Sequence, residues 1–255
     1  MHGSAAMASI YEHARLSRPD QEALLARIVA RCQAKLDRRP PVVVFDLDGT
    51  LMDNRPRTAV ILQELARELD DPRAAKVLGA ARHDELAYLL TDTLKRLGVE
   101  HPETVQRAQT FWKERFFADG YLKHDVAIEG SVAFARACYD QGATIVYFTG
   151  RDLPAMSLGS FQSLRDLGFP IGVIGTELVC KPDFQTPDEF FKRDVGLHLK
   201  RVGDVVAAFD NEPGNCNAFL EMYPDADSIF VDTQHLPGAP KLHPKVHVIP
   251  DIRMK

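Results

Sequence analysis

Short, unbroken apolar runs separated by amphipathic stretches give the chain its pattern. Val42-Val43-Val44-Phe45 is rich in β-branched residues with no polar alternate, the mark of a strand covered on both faces. Residues 143–148, 205–209 and 228–231 repeat it, with weaker runs at 172–174 and 246–249. Helical spacing fills the intervals. Ser17, Pro19 and Asp20 suit a helix start, Leu24, Leu25, Ile28, Val29, Cys32 and Leu36 recur on one helical face, and Arg38-Arg39-Pro40-Pro41 stops the helix. Residues 131–141 read as a helix closed by Gly142. Strand and helix alternate and the strands are wholly apolar, which predicts an α/β fold: a Rossmann-like parallel sheet flanked by helices.

One interval breaks the rhythm. About 90 residues separate the first strand from the second, with helical runs at 58–69, 72–97 and 102–118 and no strand between them, too long for a simple crossover. The pattern therefore predicts three parts: an N-terminal extension and helix (1–40), an α/β core (41–51 and 126–255) and a small α-helical cap inserted at 52–125. Phe111, Trp112, Phe116 and Phe117 fall at helical spacing inside that insertion and read as its core, with a place in the cleft between cap and core as the alternative.

Composition narrows the class. The chain has 255 residues, 45% hydrophobic and 26% charged, which excludes disordered and fibrous classes. No stretch reaches the roughly 18 apolar residues of a membrane-spanning helix, and Met1-His2-Gly3-Ser4-Ala5 shows no basic region followed by a hydrophobic one, so a cytoplasmic protein is expected. A net charge of −5 supplies no positive field for a nucleic-acid backbone, and the row Arg27, Arg31, Lys35 reads as a solvated helix face. Cys32, Cys138, Cys180 and Cys216 form no C-x-x-C pair and read as reduced thiols. The nine histidines show no zinc-binding arrangement.

Ligands of open parallel sheets bind at the strand C-terminal ends. Here those ends carry Asp46-Leu47-Asp48-Gly49-Thr50-Leu51, Thr149-Gly150-Arg151 and Asp210-Asn211-Glu212-Pro213. Alternation along an extended chain would point Asp46 and Asp48 to the same side, where like charges need a cation. Asp210 adds a third oxygen donor, and an all-oxygen set suits Mg²⁺. Gly49 allows a sharp turn, while Thr149 and the Gly150 amide are donors for a phosphoryl oxygen.

These three motifs, in this order behind apolar strands, resemble the haloacid dehalogenase superfamily, in particular its Mg²⁺-dependent phosphatases, over residues 41–235. The insertion matches the position of that superfamily's first cap type. The resemblance implies that Asp46 attacks phosphorus to form an aspartyl-phosphate. Asp48 would exchange protons with leaving group and water, Thr149 and Gly150 would hold the phosphoryl group, and Arg151 would reach substrate or an acidic neighbour. Mg²⁺ would be bound by Asp46, by Asp48 through its backbone carbonyl and by Asp210, with Asn211 as a neutral, water-mediated contact. The family also needs a lysine. Lys181 and Lys192 compete, and relatives whose second motif reads T-G-R place it at the start of the helix before the fourth-motif strand, which favours Lys192; Lys181 would then touch substrate or lie at the surface.

Asn211 stands where many relatives have a second acidic residue, with Glu212 as a candidate substitute. Asp204, in Gly203-Asp204, mimics a fourth motif but precedes its strand. Asp53 reads as a loop residue beside the site. The implied activity is hydrolysis of a small phosphorylated metabolite, with phosphotransfer, nucleic-acid end processing and non-catalytic phosphoryl binding as alternatives. Neither the substrate nor the oligomeric state is read from the sequence.

Overall fold

The computed structural model describes residues 10–33 and 38–255; Lys35, Leu36 and the first nine residues lie outside the described residues. In chain order the elements are α1 (Arg18–Arg31), β1 (Pro41–Phe45), β2 (Met52–Asp53), α2 (Arg55–Ala66), α3 (Pro72–Gly79), α4 (Leu90–Arg96), α5 (Pro102–Phe116), β3 (Val126–Ala127), α6 (Ser131–Asp140), β4 (Thr144–Asp152), α7 (Leu153–Leu167), β5 (Thr176–Lys181), α8 (Asp188–Gly196), β6 (Asp204–Asp210), α9 (Pro213–Met222), β7 (Asp227–Val231) and β8 (His247–Ile249). The α/β class is that expected: six strands in the order β5-β4-β1-β6-β7-β8 form one parallel sheet. Because β1 lies between β4 and β6, the order reverses beside it, and the crevice of such a sheet opens at the C-terminal ends of these strands.

Strand parity assigns the faces. Val43 and Phe45 of β1, with Ile145, Tyr147, Ala207 and Phe209, pack under α1, α6 and α7. Val42 and Val44, with Val146, Phe148 and Ala208, pack under α8 and α9. The same period of two carries Asp46 and Asp210, each two residues beyond a residue of the second set, toward α8.

The N-terminal helix belongs to the core. Ser17 accepts from the Asp20 amide at its start, and Leu24, Leu25 and Ile28 are buried against the sheet. Its basic row is not merely solvated: Arg27 and Arg31 each bond Asp227 at 2.8 Å, and Arg18 pairs with Asp251.

Between β2 and β3, which pair antiparallel as a two-stranded stem, stand α2 to α5 and two 3₁₀ segments, His83–Glu85 and Asp119–His124. This insertion has its own core, including Ile61, Leu62, Leu65, Leu78, Leu94 and Phe111. The predicted single run at 72–97 is two helices, because α3 ends at Gly79 and the chain between the two turns through His83–Glu85. The predicted strand at 172–174 is a turn between Gly172 (φ +73°) and Gly175 (φ +84°) with Ile174 97% exposed, and the strand follows at Thr176–Lys181 on the sheet edge. Among the described residues no helix is long and apolar enough to cross a membrane.

Ile28→Ala, which opens a cavity between α1 and the sheet, is expected to lower the unfolding free energy by about 2–5 kcal/mol in urea denaturation. A change below about 1 kcal/mol would mean that α1 adds little to the core.

Candidate active site

The ends of β1, β4 and β6 open into a cavity of about 1140 Å³, lined by Asp46, Asp48, Thr149, Gly150, Arg151, Lys192, Asp210 and Asn211 among others. Two charged clusters meet in it, and they differ in balance.

The first is Asp46, Asp210 and Lys192. Lys192, on the buried face of α8, donates to Asp46 Oδ1 at 2.7 Å and to Asp210 Oδ2 at 2.6 Å. Asp210 also accepts from the Glu212 amide at 2.8 Å and from Asn215 Nδ2. Two carboxylates thus share one ammonium. Burial, with the negative charge of Asp210 adding to it and Lys192 opposing it, pushes Asp46 up to about 7. Burial alone would lower Lys192, yet Asp210 and Asp46 raise it and keep it charged.

The second is Asp48, Asp125, Arg57 and Arg151. Arg151 donates to both Asp48 oxygens at 2.7 and 2.8 Å, Arg57 adds a bond to Asp48 Oδ1 at 2.8 Å, and Asn54 adds one at 3.2 Å. Both arginines also hold Asp125, at 2.6–2.8 Å. Two guanidinium groups face two carboxylates, so this cluster is neutral. Although burial favours protonation, Arg151 and Arg57 hold the Asp48 carboxyl far below the usual carboxylate range.

Local geometry sets the path of the chain between the two aspartates of the first motif. The Leu47 carbonyl accepts from the amides of Thr50, Leu51 and Met52 at 2.9–3.2 Å, so the chain turns immediately after Asp46 instead of staying extended. Asp46 and Asp48 both line the cavity, Asp48 held by the arginines and Asp46 by Lys192. Gly49 sits in that turn at φ +79°, and a Cβ there would lie 2.3 Å from Asn211 Nδ2. Asn211 is a bracket: its Oδ1 accepts from Thr50 and its Nδ2 donates to the Gln234 carbonyl at 2.6 Å. Glu212, which also lines the cavity, accepts the Leu236 amide on its carboxylate.

In the second motif the register between β4 and β5 slips between Thr149 and Asp152, and Thr149 Oγ1 accepts the Arg151 amide at 3.2 Å. That bulge brings Arg151 to Asp48. Gly150 faces the first residue of α8, and a Cβ on it would come within 2.3 Å of Asp188. Lys181 bonds that same Asp188 at 2.7 Å, which fastens the start of α8 to the end of β5, so Lys192 rather than Lys181 reaches Asp46. Asp53 pairs with Arg55 beside the cavity, and Asp204 begins β6 at the opposite sheet edge.

Arg57 and Asp125 are the site residues that sequence reading missed. A signal existed for Arg57: Arg55 and Arg57 both lie in the first turn of α2, where the helix dipole disfavours cations, so each needs an acidic partner. Asp125 carried none, because only the fold brings it to Arg57.

No three acidic, histidine or cysteine side chains among the described residues form a ready-made metal cluster. The donor chemistry nevertheless suits a hard divalent cation beside Asp46 and Asp210, because these two carboxylates outnumber their ammonium while the Asp48 cluster is already balanced. Asp48 contributes no free carboxylate to such a site.

No family model matches the sequence, and no curated protein matches it significantly. Solved structures do. A provisionally assigned phosphatase from Clostridium difficile aligns over 82% of this chain and 94% of its own, with 17% identity and a TM-score of 0.54. A HAD hydrolase of family IA, variant 3, from Entamoeba histolytica HM-1:IMSS aligns over 83% and 93%, with 14% identity and a TM-score of 0.47. At such identities the likeness is one of fold. The shared fold is an α/β one, a parallel sheet flanked by helices, here with a helical insertion after the first strand.

Asp125→Asn removes one negative charge from between two buried arginines and is expected to lower stability by about 3–5 kcal/mol, read from denaturant midpoints at constant m. A loss under about 1 kcal/mol would show that the quartet is not a structural joint.

Proposed function

We propose that this protein is a Mg²⁺-dependent phosphomonoester hydrolase acting on a small phosphorylated metabolite through an aspartyl-phosphate on Asp46. The observation that carries the reading is the Lys192 ammonium held between Asp46 and Asp210 at the floor of a cavity. That arrangement presents a carboxylate nucleophile beside positive charge able to receive phosphoryl oxygens.

In the first displacement an Asp46 oxygen bonds to phosphorus as the bond from phosphorus to the leaving oxygen breaks. In the second, water attacks phosphorus, phosphate departs and the Asp46 carboxylate is restored. Thr149 and the Gly150 amide stand by to orient the phosphoryl oxygens. Asp46 and Asp210 would hold Mg²⁺, which when bound supplies positive charge to offset that of the phosphoryl group. Asp48 is kept as a carboxylate by its arginines, and the same bonds weaken it as a base, so it would accept the proton of the attacking water as a guanidinium lets go. It would protonate a leaving oxygen only after a guanidinium gives up its bond. The four free cysteines accord with a cytoplasmic setting.

Phosphate release from 4-nitrophenyl phosphate tests the reading. Activity should require Mg²⁺, vanish with EDTA, and fall by about 10³-fold or more in Asp46→Asn. Undiminished turnover by Asp46→Asn would remove Asp46 as the nucleophile.

A further inference from the structure

The cavity is larger than a phosphoryl group needs: about 1140 Å³, just above the range of roughly 300–1,000 Å³ that holds drug-sized molecules. On the insertion side it is lined by Leu86, Tyr88 and Leu89 and by Trp112, Phe116 and Phe117 at the end of α5. Trp112 and Phe116 stack with centroids 4.3 Å apart and planes 25° apart, and Phe117 meets them edge-on at 5.7 and 5.1 Å. Phe111, the fourth aromatic of this stretch, is buried in the insertion's own core; Trp112 and Phe116 pack partly buried against that core and, with Phe117, also form a half-buried wall on the cavity.

The wall is fixed to the reacting end. The Arg57 guanidinium lies 4.2 Å from the Phe116 ring centroid and donates to the Phe116 carbonyl at 2.9 Å, and the same guanidinium holds Asp48. Two polar groups on this side that could recognise the hydroxyls of a sugar are already engaged. Trp112 Nε1 donates to Thr58, and Arg55 pairs with Asp53. Thr91 and Lys113 are exposed. Apolar rings left wet in a concave site gain by stacking on a ligand of the same kind.

We infer that the phosphomonoester taken by this site carries a flat aromatic group, which packs against the Trp112–Phe116–Phe117 wall while its phosphate meets Asp46 and Thr149. The phosphate end rests on the proposed hydrolase reading; the aromatic end rests on the wall alone.

Trp112 is the single tryptophan of the chain, so its emission reports on a ligand at the wall. The full chain in Mg²⁺ buffer is titrated with benzylphosphonate and with methylphosphonate, neither of which can be hydrolysed. Benzylphosphonate should change the emission and bind about tenfold tighter or better, and Phe117→Ala should erase most of that advantage. Phe117→Leu, which keeps volume without the ring, serves if the alanine variant does not fold. Equal affinities, or an advantage indifferent to Phe117, would overturn the inference.

A hydrolysis panel of 2-naphthylmethyl phosphate, adenosine 5′-monophosphate and glucose 6-phosphate, all esters of primary alcohols, separates the sources. A higher kcat/KM for either aromatic ester than for the sugar supports the inference and says whether the ring is a simple arene or a nucleobase; a preference for glucose 6-phosphate contradicts it. Benzylphosphonate binding without any turnover would sustain the wall and sink the hydrolase. Turnover blind to the aromatic group would do the reverse.

Discussion

A single ammonium between two carboxylates organises this molecule. Asp46 and Asp210 come from the neighbouring central strands β1 and β6, and their shared partner, Lys192, comes from a helix packed on one face of the sheet. Without the lysine, two like charges would face each other where water is scarce, and at least one would take up a proton. Much nearby structure serves this contact. Lys181 and Asp188 fasten the start of α8, Gly150 lets that start approach β4, and Asn215 and the Glu212 amide hold Asp210 in place. The cluster remains one positive charge short: burial raises Asp46, and on the proposed reading added cationic charge would keep it ionised as the nucleophile.

The neighbouring quartet does the opposite work. Arg57 and Arg151 balance Asp48 and Asp125, and their bonds join the first turn of the insertion, its stem and the end of β4. A neutral, hydrogen-bonded cluster of this kind is costly to break from one side, so it acts as a joint between insertion and core. Through Phe116 the joint also reaches the aromatic wall. Whatever occupies the wall therefore bears on the residues that position Asp48.

Much of this was legible from residue order. The unbroken apolar strands gave the parallel sheet, and parity along β1 and β6 aims Asp46 and Asp210 at one helix face. Lys192 was the favoured lysine because of its place in that helix. Residue order did not show the partners of Asp48: three amides converging on the Leu47 carbonyl end the extended chain there, and the arginines that hold Asp48 come from α2 and β4. An apolar run at Val173-Ile174 misled because an edge strand needs less burial than a central one, so β5 is written in half-buried residues instead. Arg57 and Asp125 are 68 residues apart in the chain and meet only through folding. In the aromatic run at 111–117, Phe111, Trp112 and Phe116 belong to or pack on the insertion's core, as their spacing suggests, and Trp112, Phe116 and Phe117 also face the cavity, which spacing alone does not reveal.

The central claim is that Asp46, held by Lys192, takes the phosphoryl group. Protein quenched in acid during turnover of an aryl phosphate, then digested and examined by mass spectrometry, should carry one phosphoryl group on the peptide containing Asp46, at Asp46 itself. Phosphate release with no phosphorylated enzyme under these conditions, or with the group on any other residue, would contradict it.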